Sequence, residues 1–173
     1  MKHNILIHRS KVLLQEIAYP QHIQLNNLFT RGAEWMLYCL NHIRNENTTL
    51  PKGVAFEYYG WGKYLLCSFV ALIPLFLSYW LVPLSILLFY LIEVQLLFLF
   101  PLLIDGSKNS FKSSWRLTRQ IGTFRAMIVV IPIAIYMLYG MCRRKDCLQH
   151  WYVGCLSILI LYEEINTNEE TSL

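Results

Sequence analysis

YLLCSFVALIPLFLSYWLVPLSILLFYLIEVQLLFLFPLLI, residues 64–104, decides the fold. These 41 residues contain no Lys or Arg and one acid, Glu93. About 20 apolar residues in a helix cross a typical hydrocarbon core, so the stretch is twice as long as one span requires. It is read as two transmembrane helices, about 64–82 and 84–104, joined at Tyr79-Trp80-Leu81-Val82-Pro83. Pro83 removes a backbone donor and disfavours helix at Val82. Tyr79 and Trp80 suit the interface beyond the first span, where a ring is half solvated.

The flanking sequence fits that reading. Upstream, Phe56-Glu57-Tyr58-Tyr59-Gly60-Trp61-Gly62-Lys63-Tyr64 is a dense aromatic cluster placed as an interfacial belt. Residues 1–62 are polar enough to stay outside the hydrocarbon, as a cytoplasmic or interfacial amphipathic region. Within them Leu25, Phe29, Gly32, Met36, Leu40 and Ile43 recur at three- and four-residue steps, one face of an amphipathic helix with Trp35 and Cys39 beside it. Asn45–Pro51 ends that helix, and Asn4–Ile17 is a weaker helical segment.

Downstream, 105–123 is a basic loop opening on Asp105-Gly106-Ser107, which is suited to cap a following helix. A third apolar run, about 124–142, contains Pro132, which membrane helices tolerate where neighbours satisfy the freed carbonyl. Arg143-Arg144-Lys145-Asp146 follows. Residues 148–162 are apolar but short, either a fourth crossing or a re-entrant piece. Residues 63–165 thus form a transmembrane helical domain, and 166–173 an acidic tail of disordered composition.

Composition supports the same class. The chain of 173 residues is 55% hydrophobic and 15% charged, with mean hydropathy +0.39. Soluble domains average about 45–50% apolar and about 25% charged. The expected fold is all-α: a polytopic integral membrane protein with three to four transmembrane helices plus amphipathic interfacial helices.

The net charge of +4 is unevenly distributed. Residues 1–63 hold seven Lys/Arg and four acids, and 105–125 hold five basic residues and one acid. Placing both on the cytoplasmic side follows the positive-inside rule, with Arg143, Arg144 and Lys145 as a local exception if four helices cross. The expected location is the plasma (inner) membrane, multi-pass, with a cytoplasmic N-terminus. No cleavable leader pattern is visible, so insertion rests on the internal spans. The basic bias points to anionic headgroups rather than nucleic acid.

Few residues are out of place in lipid. Glu93 falls near the middle of the second span, where a charge costs roughly 2.5–3.5 kcal/mol on insertion scales. It reads equally as a proton relay or cation ligand and as a hydrogen-bonded helix–helix contact. Tyr90, one turn earlier, is placed to bond it, and Gln95 points to another face. Lys108, Lys112, Arg116 and Arg119, at steps of four, four and three, form one stripe if the loop is helical. Phe111 and Trp115 lie on an adjoining face. This is the pattern of a membrane-surface helix that holds headgroups or a phosphate.

Cys147 and His150 have a ligand-compatible spacing but lack a second pair, so neither metal nor other cofactor is expected. Cys142 and Cys147 could be bridged across their short loop, although two free thiols are the simpler reading. Glu163 and Glu164 read as a solvated boundary, and the sequon at Asn47 lies on the side taken as cytoplasmic. No catalytic constellation is visible, so enzymatic activity is left open. Three functions remain. One is a non-enzymatic partner or assembly subunit that binds a larger membrane protein or a second copy of itself. Another is a small transporter or channel subunit using Glu93. The third is an enzyme acting on a lipid or isoprenoid substrate at the cytoplasmic interface.

Overall fold

A computed structural model of the protein describes residues 2–17, 27–142 and 147–170. Its described residues form helices α1 (Lys2–Glu16), α2 (Leu28–Arg44), α3 (Phe56–Leu77), α4 (Val82–Gln95), α5 (Leu99–Ile104), α6 (Ser110–Ile121), α7 (Thr123–Cys142) and α8 (Cys147–Glu170), with one 3-10 turn at Tyr79–Leu81. No strand occurs among them. The fold is all-α, and three segments are long and apolar enough to cross a bilayer: Phe56–Leu77, Tyr79–Ile104 and Thr123–Gly140. The chain is therefore an integral membrane protein of the all-α class. Contacts divide it into two compact units, residues 51–127 and residues 1–50 with 128–173.

The central unit is built on the α3–α4 hairpin. α3 starts at Phe56, eight residues earlier than the apolar run suggests, so the aromatic cluster forms its first turns instead of a belt ahead of it. Phe56, Gly60, Lys63, Cys67 and Pro74 are its buried residues, spaced as one stripe of a helix. Its other faces present Leu65, Phe69, Leu72, Phe76 and Leu77 outward, and α4 presents Leu84, Ile86 and Leu87. In water such a surface would be an aggregation liability; in a bilayer it is the lipid face.

The hairpin turns from Ser78 through the 3-10 turn Tyr79–Leu81, overlapping the expected join at residues 79–83 and starting one residue before it. Ser78 is extended (φ −165°, ψ 138°), its N–H bonds Pro74 O, and its Oγ accepts from Trp80 N at 3.4 Å. Pro83 stands in the first turn of α4, where its missing donor costs nothing and its fixed φ favours the helix.

The second apolar run is not one continuous helix. α4 ends at Gln95, and Leu96–Phe98 form turns before α5. Pro101 explains the interruption, since it cannot donate to Leu97 O and its ring crowds that carbonyl. α5 then ends in a Schellman motif. Ser107 N–H bonds Leu102 O at 3.0 Å and Gly106 N–H bonds Leu103 O at 3.1 Å, with Gly106 at φ 72°, a conformation glycine adopts without Cβ strain. Asp105-Gly106-Ser107 thus closes α5 and does not cap α6. α6 begins at Ser110, whose Oγ donates to Ser107 O at 2.8 Å.

The other unit joins α1, α2, α8 and residues 128–142 of α7. α8 is its buried axis: Val153, Leu156, Ser157, Leu159 and Tyr162 are buried. Leu6, Ser10, Leu14 and Ile17 of α1 are buried too, and Ser10 Oγ lies 2.9 Å from Ser157 Oγ. On α2 the buried set is Ala33, Trp35, Cys39 and Leu40. The inner face is thus rotated from the expected Phe29–Ile43 stripe toward Trp35 and Cys39, and Trp35 packs on Tyr152 at 4.6 Å. Leu25 and residues 143–146 lie outside the described residues.

α8 bears on two readings, one left open and one corrected. It is not among the helices apolar enough to span, and it continues to Glu170, through the start of the stretch whose composition suggested disorder. α7 keeps Phe124, Ile128, Ile131, Ile135 and Leu138 exposed, a helical stripe fit for lipid.

Candidate functional site: the basic helix on the broken span

α6 and the break in the second span form one structure. α6 buries Ser110, Ser114, Leu117 and Thr118, at steps of four, three and one. This inner face is mostly hydroxyl, and the hydroxyls have work to do. Ser114 Oγ donates to Gln95 O at 3.0 Å, and Thr118 Oγ1 reaches Val94 O at 3.3 Å and Gln95 O at 3.4 Å. These are the last carbonyls of α4, where the intrahelical pattern lapses. Val94 O also accepts from Leu97 N–H at 3.3 Å, so the two side chains add partners for Gln95 O and a second one for Val94 O. A carbonyl stranded away from water costs about 1–3 kcal/mol, and this support makes the break tolerable.

Packing the hydroxyls inward turns the cations outward. Lys112, Arg116 and Arg119 are exposed on the opposite face, as expected of a stripe, and Trp115 is half-exposed beside them. Lys108 is exposed as well but lies in the turn before α6, so the helical stripe has three members rather than four. Phe111 stacks on Tyr59 of α3 at 5.8 Å.

Between α3, α4 and α6 runs a groove of about 690 Å³. Leu66, Ile92 and Leu96 line its apolar part, Phe111 and Trp115 flank it, and Lys112, Arg116, Arg119 and Gln120 come from α6.

Glu93 is not a lone acid. Its Oε1 lies 2.7 Å from Lys63 Nζ of α3, and Cys67 Sγ donates to its Oε2 at 3.7 Å. The Lys63 side chain is 7% exposed and that of Glu93 27%. Lys63, which the sequence placed outside the first span, sits inside α3. Glu93 stands near the middle of the Tyr79–Ile104 segment, as expected, and close before the break that follows Gln95. Tyr90 does not bond it, because its OH donates to Met127 O at 2.9 Å. Gln95 faces elsewhere, as expected: its Nε2 donates to Thr123 Oγ1 at 3.0 Å, and its buried Oε1 has no partner. Gln95 and Tyr90 thus tie α4 to the start of α7, while Glu93 ties it to α3.

In the other unit, Glu163 and Glu164 are not a free solvated pair. Arg44 Nη2 lies 2.5 Å from Glu163, and Arg9 Nη1 2.7 Å from Glu164. His150 stacks on Tyr136 at 4.5 Å, and Cys142 and Cys147 are free thiols. Among the described residues no group of three His, Cys, Asp or Glu converges as a metal site. Burial raises the Cys39 thiol pKa well above its ordinary value, with Cys155 adding to the effect; a neutral thiol is a poor nucleophile.

In comparisons with protein-family models, with curated proteins and with solved structures, nothing matches the chain.

Proposed function

We propose that this is a multi-pass membrane protein that acts without chemistry of its own, as a partner or assembly subunit of a larger membrane system or of its own oligomer. The observation that carries this reading is the Lys63–Glu93 pair. A relay or ion-pathway acid must exchange protons or cations with a polar route. A carboxylate held by a buried ammonium is already compensated, and its plainest role is to register α3 against α4.

In this reading the basic side, with Lys108, Lys112, Arg116 and Arg119, faces the cytoplasm of a plasma (inner) membrane, and so does the N-terminal region. The Ser78 turn faces the opposite side. The lipid-facing stripes of α3, α4 and α7 supply the partner contacts.

The test replaces both members of the pair with apolar residues, Lys63→Met together with Glu93→Leu. The expected result is normal membrane accumulation and an unchanged native-gel assembly. Reconstituted into dye-loaded liposomes, the wild type should leak protons and alkali cations no faster than empty vesicles. A wild-type flux that this double variant abolishes would overturn the proposal in favour of a transporter.

A further inference from the structure

We propose that the groove between α3, α4 and α6 is a site for one anionic phospholipid. Its phosphate sits against Lys112, Arg116 and Arg119, and an acyl chain lies along Leu66, Ile92 and Leu96. This goes beyond the partner role and holds whether or not that role is right.

Charge complementarity selects the occupant. α6 contains no acid, and among the described residues no carboxylate forms an ion pair with its three cations. Their charges are not neutralised by direct contact. They stand at the rim of a groove whose remaining wall comes from two helices apolar enough to span a bilayer. A soluble phosphate would leave the Leu66–Ile92–Leu96 wall empty. An apolar peptide would leave the cations unpaired. A phospholipid satisfies both parts, with long basic side chains reaching from the headgroup level and Trp115 at the depth where indoles favour the interface.

The geometry also explains why the cations stay exposed at the groove's rim and are not buried in the bundle. The hydroxyls of Ser114 and Thr118 are committed to the carbonyls of the broken span. That fixes the rotation of α6 about its axis, so positions 112, 116 and 119, separated by four and three residues, must line the side away from them.

The test uses the full-length protein in vesicles and reads quenching of tryptophan by phospholipids brominated on their acyl chains. The contribution of Trp115 is the part lost in Trp115→Phe. Brominated phosphatidic acid and phosphatidylglycerol are compared with brominated phosphatidylcholine, each titrated into phosphatidylcholine vesicles. One cation at an anionic surface is worth roughly fivefold in binding. With partial screening by salt, the three should give an apparent preference on the order of tenfold for either anionic lipid.

The combined variant Lys112→Gln, Arg116→Gln, Arg119→Gln should lose that preference while its helical circular dichroism and detergent melting stay as in the wild type, because all three side chains are exposed. Equal quenching by all three lipids in the wild type would overturn the proposal. So would a preference that survives in the folded triple variant, or one that excess inorganic phosphate removes in the wild type while the vesicle surface stays anionic.

Discussion

Lys63 is the residue whose position changes the most. The ion pair it makes with Glu93 is partly buried, and removing one partner of such a pair typically costs about 3–5 kcal/mol because it strands the other charge. With about a quarter of the Glu93 side chain exposed, the lower end of that range applies. Lys63→Met should therefore lower stability in mild detergent by roughly 3 kcal/mol, and Glu93→Leu likewise. The double variant should recover most of the loss, and a denaturation cycle on the four proteins measures the coupling directly. At the same scale, a maleimide at about pH 8, near the ordinary thiol pKa, should label exposed Cys142 and leave Cys39 unmodified until the protein unfolds. Prompt labelling of Cys39 in the native protein would contradict its burial.

Among the elements, the break after α4 and the helix that caps it stand or fall together. Thr118→Val keeps the shape of the side chain and removes the donor, and Ser114→Ala does the same on a smaller scale. Each should cost about 1–3 kcal/mol, read as a lower melting temperature. Amide exchange should accelerate at Leu96–Phe98 first, because that turn loses its support. If exchange there were unchanged, the hydroxyls would not be holding the break. Little of this was legible beforehand. The cationic stripe was visible because charges at helical spacing are conspicuous. The seryl and threonyl face was not, because short hydroxyl side chains are common on exposed helix faces and in turns. Pro101 was the available signal that the second run must interrupt.

At the scale of the whole chain, the three apolar segments were legible because their length and composition leave lipid as the natural solvent. Their pairing was less so. A turn placed at Pro83 sets Lys63 opposite residues near 100 and leaves Glu93 alone. A turn at Ser78 puts Lys63 fifteen residues before it and Glu93 fifteen after, at one depth. The join was expected over residues 79–83, and only its start at Ser78 brings the two charges level, so the partner of Glu93 was not visible beforehand. α8 stayed ambiguous in the sequence for a different reason: an apolar run of intermediate length suits a covered helix as well as a membrane span, and its burial with α1 and α2 favours the covered helix. Topology can be checked with reporters inserted after Trp80 and after Lys108. They should read opposite sides of the membrane, with Lys108 on the cytoplasmic one. Replacing Lys108, Lys112, Arg116 and Arg119 by Gln should produce a mixed orientation.

The paired charges of α3 and α4 also bear on how the protein is made. Thirty residues separate Lys63 from Glu93. At synthesis rates of about 5–20 residues per second, the ammonium emerges roughly 2–6 s before the carboxylate that neutralises it. During that interval α3 carries an uncompensated cation and should wait beside the insertion machinery until α4 arrives. Nascent chains arrested with α3 emerged and Glu93 still inside the ribosome should therefore remain extractable by alkaline carbonate, and those arrested beyond the hairpin should resist it. The two helices would then enter the bilayer as one translational event.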